Sequence, residues 1–280
     1  MEPAQVYVPI RLRAPFYSVK RFIARAICNP VIGRLISNLF QDLIPSHGSV
    51  IHTRNQAILP NVKAALFWGL YESAEVRFVR DYLRKDLDVV ELGSSLGVVT
   101  SQILLKLEPD RRVVCVEANP HLLETLRKNI AENGRGRETS VVHGAIADVP
   151  KSGKSVNLSL GENNTVSRVS DGAGSNDTVL VPGFTLSSIL QKEGIEGDFA
   201  LVSDIEGGEA GFIESDCDAL GSCRQLIIEL HETHWHGEVV TVDRLRFVLE
   251  QVHGFRLRTN RGPVCVFEKP REAPSVAFTA

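Results

Sequence analysis

The stretch Val89-Val90-Glu91-Leu92-Gly93-Ser94-Ser95-Leu96-Gly97 decides the fold. Leu87, Val89, Val90 and Leu92 form a short apolar run of the kind buried on both faces of a parallel sheet. Gly93 and Gly97 admit backbone angles and close approaches that a β-carbon blocks. Leu96, Val99, Ile103 and Leu107 then recur with the spacing of an amphipathic helix. Strand, glycine turn and helix in that order aim the turn's backbone N–H groups at whatever binds there. The pattern is Glu-x-Gly-x-x-x-Gly, not the Gly-x-Gly-x-x-Gly of a dinucleotide site. An acid at the strand's end repels a pyrophosphate and suits a ligand with a cationic amino acid tail. Taken alone, the same residues also make an ordinary strand-to-helix turn.

The next segment narrows the choice. Arg112-Val113-Val114-Cys115-Val116-Glu117 is a second apolar strand ending in an acid. A doubly wound sheet places a carboxylate there to hold a ribose diol. Asn119-Pro120 reads as a helix cap and first helical residue. Leu122, Leu123, Leu126 and Ile130 make the helix stripe, and Asn133-Gly134 stops it. Thr139 to His143 reads as a third strand, with Gly144 to Asp148 near an adenine. Glu117 is therefore favoured as a ribose ligand over a solvated strand-end carboxylate.

Composition sets outer bounds. With 280 residues and 43% hydrophobic content, the chain has material for a full core. The net charge of −3 gives no sign of a nucleic acid partner. Residues 1–45 hold six basic side chains (Arg11, Arg13, Lys20, Arg21, Arg25, Arg34) against Glu2 and Asp42, a local +4, which leaves −7 for the rest. The five cysteines show no metal-type spacing, and Cys115 and Cys265 lie in apolar strands as packing residues. The odd count and the lack of a signal sequence or bilayer-length apolar run lead us to expect a cytoplasmic protein.

Upstream, Phe16, Val19, Ile23 and Ile27 predict one helix, broken by Pro30. Ile32, Leu35, Ile36, Leu39 and Leu43 predict another, before Pro45. We expect an N-terminal helical extension over 1–65, packed on the main domain or a second subunit. The other reading is a basic amphipathic surface, residues 11–44, that makes peripheral membrane contact. Residues 48–62 read as irregular or as a short hairpin. Phe67-Trp68-Gly69-Leu70-Tyr71-Glu72 precedes a helix running to Leu83. It is either an aromatic packing corner or a cover over the cofactor mouth that offers Tyr71 or Glu72 to the ligand.

Downstream, residues 151–178 are polar, with a short strand at Asn157 to Leu160 and a flexible loop from Ser170 to Asp177. Thr185 caps a short helix. Phe199-Ala200-Leu201-Val202-Ser203 is then an apolar strand that ends in Asp204-Ile205-Glu206-Gly207-Gly208-Glu209. Three carboxylates within six residues at a central strand's end are costly unless paired, hydrogen-bonded or metal-bound. Gln225 to Leu230 makes another strand, followed by His231. His231, His234 and His236 in a loop are poor evidence for a metal, and we expect none; His231 is a candidate base. A last long helix carries Val242 to Val252. A hairpin pairs Phe255 to Thr259 with Val264 to Glu268, and the tail 270–280 reads as disordered.

In this order, Phe67 to Glu72, Glu91 to Gly97, Val116 to Pro120, Thr185-Leu186, Asp204 to Glu209 and Glu229-Leu230-His231 resemble the FkbM family of class I S-adenosylmethionine-dependent methyltransferases. The resemblance covers roughly residues 66–269. It implies a Rossmann-like α/β fold: seven strands, mostly parallel, helices on both faces, and one antiparallel strand from the last hairpin. It implies S-adenosylmethionine as cofactor and O-methylation of a hydroxyl on a sugar, a glycolipid or another small-molecule acceptor. By the resemblance, Glu91, Gly93, Ser95 and Gly97 line the methionine end; Glu117, with Ala118 and Asn119, holds the ribose; Ala145 flanks the adenine. Asp204 faces the reacting centre with Glu206 and Glu209 in support. Three positions depart from the family's pattern: Glu91 stands for a common Asp, Val202 for a common Lys, and Ser187 for a common Asp.

Methyl transfer from a sulfonium needs an acceptor oxygen aligned with the C–S bond and a group to take its proton. Asp204 is the first choice for that base and His231 the second. The rivals are a nucleotide-sugar or NAD-binding oxidoreductase, a relative that binds cofactor without turnover, and an O-methyltransferase assisted by a divalent cation on Asp204 and Glu206. The acceptor and the oligomeric state are not written in these motifs.

Overall fold

The computed structural model describes residues 24–149, 154–161, 167–169 and 178–270. Helix α1 (Pro30–Leu39) starts where Asn29 accepts hydrogen bonds from the backbone N–H groups of Val31 and Ile32. Strands β1 (Leu43–Ser46) and β2 (Ser49–His52) then form an antiparallel hairpin. Helices α2 (Pro60–Phe67) and α3 (Ser73–Tyr82) follow. The alternating layer begins with β3 (Asp88–Leu92), α4 (Val98–Lys106), β4 (Val113–Glu117), α5 (Leu123–Asn133) and β5 (Thr139–His143). Four strands, β6 (Ala145–Ile146), β7 (Ser155–Leu160), β8 (Ser167–Val169) and β9 (Thr178–Phe184), form a separate small sheet in the order β6-β9-β7-β8. The alternation resumes with α6 (Leu186–Glu193), β10 (Phe199–Ser203), α7 (Glu209–Glu214) and β11 (Cys223–Glu229). The short pair β12 (Thr233–Trp235) and β13 (Glu238–Val240), helix α8 (Val242–Gln251), and the hairpin β14 (Arg256–Arg261) and β15 (Val264–Glu268) complete the described chain.

The main sheet has the order β14-β15-β11-β10-β3-β4-β5. Pairs β10/β11, β10/β3, β3/β4 and β4/β5 are parallel, whereas β15 runs antiparallel to both β11 and β14. The α/β fold with a seven-stranded, mostly parallel sheet is therefore as the motifs imply. Successive strands move outward from β3 to β5, then return to β10 on the other side. The crevice beyond the carboxyl ends of β3 and β10 is the switch point, where open α/β sheets bind ligands. Apolar cores lie on both faces of the sheet.

Several local expectations change. The helical stripe drawn through Leu43 ends at Leu39, because Leu43 and Pro45 enter β1. Leu35 and Leu39, expected to pack, are exposed together with Val31. The helical extension placed over 1–65 also contains a hairpin, and residue 65 falls inside α2. Ile44, Ile51, Val62 and Leu66 share one core with Val89 and Ile103. Helix α4 is not amphipathic in place: Val98 through Leu104 are all buried. Its polar side chains are satisfied internally, since Gln102 donates to Ser49, Ser101 to the Gly97 carbonyl and Thr100 to Glu91. Helix α5 starts at Leu123, not Pro120. Asn119 caps a preceding turn by accepting from the His121 N–H. Strand β9 lies between the polar stretch 151–178 and the cap at Thr185, where no element was expected. The expected N-terminal helix falls partly, and the loop Ser170–Asp177 and the tail beyond 270 wholly, outside the described residues. Among those residues no helix is long and apolar enough to cross a membrane.

Candidate cofactor and active site

The glycine turn is held from beneath. Gly93 has φ +83° and Gly97 φ +79°, angles that disfavour side chains. The N–H groups of Gly93 and Ser94 donate to the Val116 carbonyl at 2.9 and 3.2 Å. Ser95 N–H donates to Glu117 Oε2 at 2.7 Å, and Gly97 N–H to the Ser94 carbonyl. The expectation that these N–H groups face the ligand is thus corrected. Those of Gly93, Ser94 and Ser95 point back to β4, which takes them from a pyrophosphate.

Glu117 ends β4 with both carboxylate oxygens anchored. Oε1 accepts from Asn119 N–H at 2.6 Å, and Oε2 from Ser95. Each oxygen keeps a second lone pair for a hydroxyl donor. Burial nevertheless pushes this carboxyl above its ordinary pKa, against the pull of those N–H groups. The cleft above spans about 630 Å³ with its open mouth included, and is lined by Glu72, Leu92, Gly93, Ser95, Val116, Glu117, Ala118, Gly144, Ala145, Ile146, Leu158 and Asp204 to Glu206. Ala145 and Leu158 are buried where the small sheet meets the main one.

The other end of the cleft is strongly acidic. Asp204 follows β10, and its N–H donates to the Leu92 carbonyl at 3.0 Å. Glu206 sits at φ +53° in the turn into α7. Glu209, at the start of α7, has no exposed side-chain surface, and its Oε1 meets His231 Nδ1 at 2.9 Å. The His231 Nε2 lies 4.0 Å from Asp204 Oδ1, 3.6 Å from Glu206 Oε2 and 3.8 Å from Glu229 Oε1. Burial pushes Asp204 up to about 7, with His231 pulling it down and Glu206 adding to the rise. Burial works against charge on His231, yet the hydrogen bond and charge of Glu209 raise it to about 9. Burial and the Asp204 charge push Glu229 up to about 8, and it shares a hydrogen bond with Glu75.

Of the residues singled out in the sequence, Gly93, Ser95, Glu117, Ala118, Ala145, Asp204, Glu206 and Glu72 line the cleft together. Tyr71 reaches its edge, its hydroxyl 3.0 Å from Ser95 Oγ. Glu91 lies lower, beneath the turn, in a small pocket with Glu72, Glu75, Val202 and Asp204. It accepts hydrogen bonds from Thr100 and Cys115, and burial pushes it up to about 7. Gly97 faces Leu126 and Asn129, and Asn119 is buried behind Glu117. His234 and His236 do not join His231; both are exposed, and His236 pairs with Asp148 at 3.3 Å. Glu229 and Glu75 were not foreseen as site residues. Glu229 ends an apolar strand beside His231, the same signal that marked Glu117, whereas nothing local marks a glutamate in α3.

A turn whose Gly93, Ser94 and Ser95 N–H groups are tied to β4, an anchored strand-end carboxylate and an acidic floor fit a class I methyltransferase and not a dinucleotide enzyme. A family model described as the methyltransferase FkbM domain matches residues 97–257, more than half of the chain. The chain belongs to that family of methyltransferases, and its cofactor is S-adenosylmethionine. Among solved structures it is similar to a protein of the NADB-Rossmann superfamily from Streptococcus agalactiae (15% identity, 71% of this chain and 69% of that one, TM-score 0.40). It is also similar to precorrin-6y C5,15-methyltransferase from Geobacter metallireducens (16%, 70% and 87%, TM-score 0.38). A third is Aeropyrum pernix fibrillarin with natively bound S-adenosyl-L-methionine (10%, 66% and 66%, TM-score 0.36). Likeness at this level says nothing of the acceptor. No curated protein gives a significant sequence match.

Proposed function

We propose that this methyltransferase acts on oxygen, transferring the methyl group to a hydroxyl of a sugar, a glycolipid or another small metabolite. The observation that carries the reading is the position of Asp204. It lies across the Gly93 turn, in the same cleft as Glu117, with its Oδ1 buried and without a hydrogen-bond partner. Bound S-adenosylmethionine supplies an activated methyl group on a sulfonium. Glu117 holds the ribose hydroxyls, and Ala118 and Ala145 flank the adenine. Gly93 and Ser95 support the methionine end, and Glu72 and Asp204 face its positive charges. Asp204 takes the proton of the acceptor hydroxyl, Glu206 borders the acceptor side, and Tyr71 fixes Ser95. Glu209 holds His231 in one orientation. Proximity and alignment in this cleft supply much of the acceleration.

The second reading is a relative that binds cofactor without turnover. Val202 favours it, because it places a valine among Glu72, Glu75, Glu91 and Asp204 where a cation is common. One set of measurements separates the two. Calorimetric titration with S-adenosylhomocysteine, with NAD as control, reads the cofactor site. Transfer of labelled methyl groups into hydroxyl-bearing acceptor pools, with mass analysis of the product ether, reads the chemistry. Asp204→Asn should bind S-adenosylhomocysteine and transfer nothing; full transfer in that variant removes Asp204 as the base.

A further inference from the structure

We infer that Asp204, Glu206 and His231 form a binding site for one divalent transition-metal cation of the manganese or zinc type at the acceptor end of the cleft. Their donor atoms lie within 4.8 Å of one another. Cis and trans ligands of one such cation stand about 3 and 4.2 Å apart, given metal–ligand bonds of about 2.1 Å. The Nε2 distances of 3.6 Å to Glu206 Oε2 and 4.0 Å to Asp204 Oδ1 match that spacing. They are too long for hydrogen bonds. Three carboxylates thus surround Nε2 at ion-pair distance without any of them hydrogen-bonding to it.

Two further observations are independent of the cluster's charge. Asp204 Oδ1, the oxygen turned toward His231, is buried and has no hydrogen-bond partner. Buried carboxylate oxygens are rarely left so unless something else fills their coordination. The second is the far side of the imidazole. Nδ1 is held at 2.9 Å by Glu209, which is fully buried and whose other oxygen is itself without a partner. A histidine ligand commonly donates its second N–H to a carboxylate, which fixes the ring and raises the basicity of the ligating nitrogen. Glu209 stands in that relation to His231. The mixed donor set, one imidazole with two carboxylates, favours manganese or zinc over magnesium.

The chemical role rests on the O-methylation reading; the site itself does not. The cation would take the place of the proton on Nε2 and receive the acceptor oxygen, lowering the pKa of its hydroxyl. The O–H proton passes to Asp204 Oδ2, the oxygen left free by ligation through Oδ1. The oxygen's electron pair forms the new O–C bond as the C–S bond breaks, leaving a neutral thioether.

The test is titration of the full chain with Mn²⁺, followed by the electron paramagnetic resonance signal of the free ion, with and without S-adenosylhomocysteine. A single equivalent should bind, and Zn²⁺ should displace it more readily than Mg²⁺. His231→Ala and the turn variant Glu206→Gln should each weaken Mn²⁺ at least about tenfold, and Glu209→Gln by about 10- to 100-fold. All three should keep their affinity for S-adenosylhomocysteine, which also reports that they fold. No saturable Mn²⁺ binding by the unaltered chain would overturn the proposal, as would equal binding by His231→Ala and Glu206→Gln. An unaltered chain that holds Mn²⁺ but not S-adenosylhomocysteine would support the metal site and remove the cofactor reading instead.

Discussion

A β-carbon on Gly93 would fall 1.9 Å from the carbonyl oxygen of Asp204. The two ligand-facing loops of the switch point therefore touch through backbone. Asp204 N–H donates to the Leu92 carbonyl, which closes the contact from the opposite side. Gly93→Ala combines this overlap with a φ of +83°. The expected cost is about 3 kcal/mol, from left-handed strain and overpacking together. Urea unfolding would show it as a lower midpoint at unchanged slope, and calorimetry as a loss of S-adenosylhomocysteine binding. A midpoint equal to that of the unaltered chain would mean the loops can part without penalty.

Glu117 links the turn to β4 as well as facing the cleft. Removing its carboxylate in Glu117→Ala leaves the N–H groups of Ser95 and Asn119 without their acceptors. Each buried donor left so costs about 1–3 kcal/mol. The variant should lose stability and bind S-adenosylhomocysteine at least about tenfold more weakly, or about 1.4 kcal/mol. Glu117→Asp keeps the charge but withdraws it by one methylene. It should recover part of the stability and little of the affinity, because the turn can follow a shorter side chain more easily than a rigid ribose can. Parallel recovery of both quantities would mean that the carboxylate serves the turn alone.

Glu91 gives the stability a defined pH dependence. Burial raises it from the ordinary 4.5 to about 7 in the folded chain. Between those values the folded state holds a proton that the unfolded state has released, so stability falls as pH rises through the window. The contribution is fully present below 4.5 and lost above about 7; its size is about 3 kcal/mol. Asp204, Glu229, Glu72 and Glu117 are raised too and bend the curve the same way. Glu91→Gln isolates one member of the set. Its unfolding free energy should decline less between about pH 5 and 7.5 than that of the unaltered chain, with the difference near the figure above. Parallel curves for the two proteins would place the Glu91 pKa near its ordinary value.

The strands at the site were legible because each is a short apolar run closed by an acid: Val89 to Glu91, Val113 to Glu117, Phe199 to Asp204. Burial on both faces removes the alternation that other strands need, so the run itself is the signal. Strand β9 was not legible. It contains Pro182 and Gly183, residues that argue against a strand, yet Pro182 pairs with Ser155 and Gly183 with Ala145. Leu43 continued the helical period of α1 past its end, and only the hairpin pairing with β2 decides otherwise. In the site, Asp204, Glu206 and Glu117 could be read because a carboxylate at a strand's carboxyl end is exceptional. Glu75 could not, since a glutamate in a helix is ordinary until tertiary packing buries it. The cap of α6 shows a related substitution across the chain. Ser187 stands where the family commonly has Asp, and Asp216 reaches in from a later loop to accept from Ser187 N–H at 2.7 Å.

Val202 offers the sharpest test of how the acidic pocket is balanced. It pairs in register with Glu91 across β10 and β3, so the two side chains project to the same face of the sheet. Val202 is 4% exposed and lines the small pocket with Glu72, Glu75, Glu91 and Asp204. A lysine there, as is common in the family, would enter a cage of carboxylates and draw Glu91 back toward its ordinary range. Val202→Lys should thus be tolerated far better than a buried lysine in an apolar core, and the pH dependence assigned to Glu91 should shrink. In Val202→Lys combined with Glu91→Gln, the ammonium loses its cross-strand partner. Breaking a buried ion pair in this way costs about 3–5 kcal/mol. A double-mutant cycle by urea unfolding at about pH 7.5 should show strong coupling between the two positions. Additive effects would mean that the introduced ammonium finds its charge partner elsewhere, in Glu72, Glu75 or Asp204.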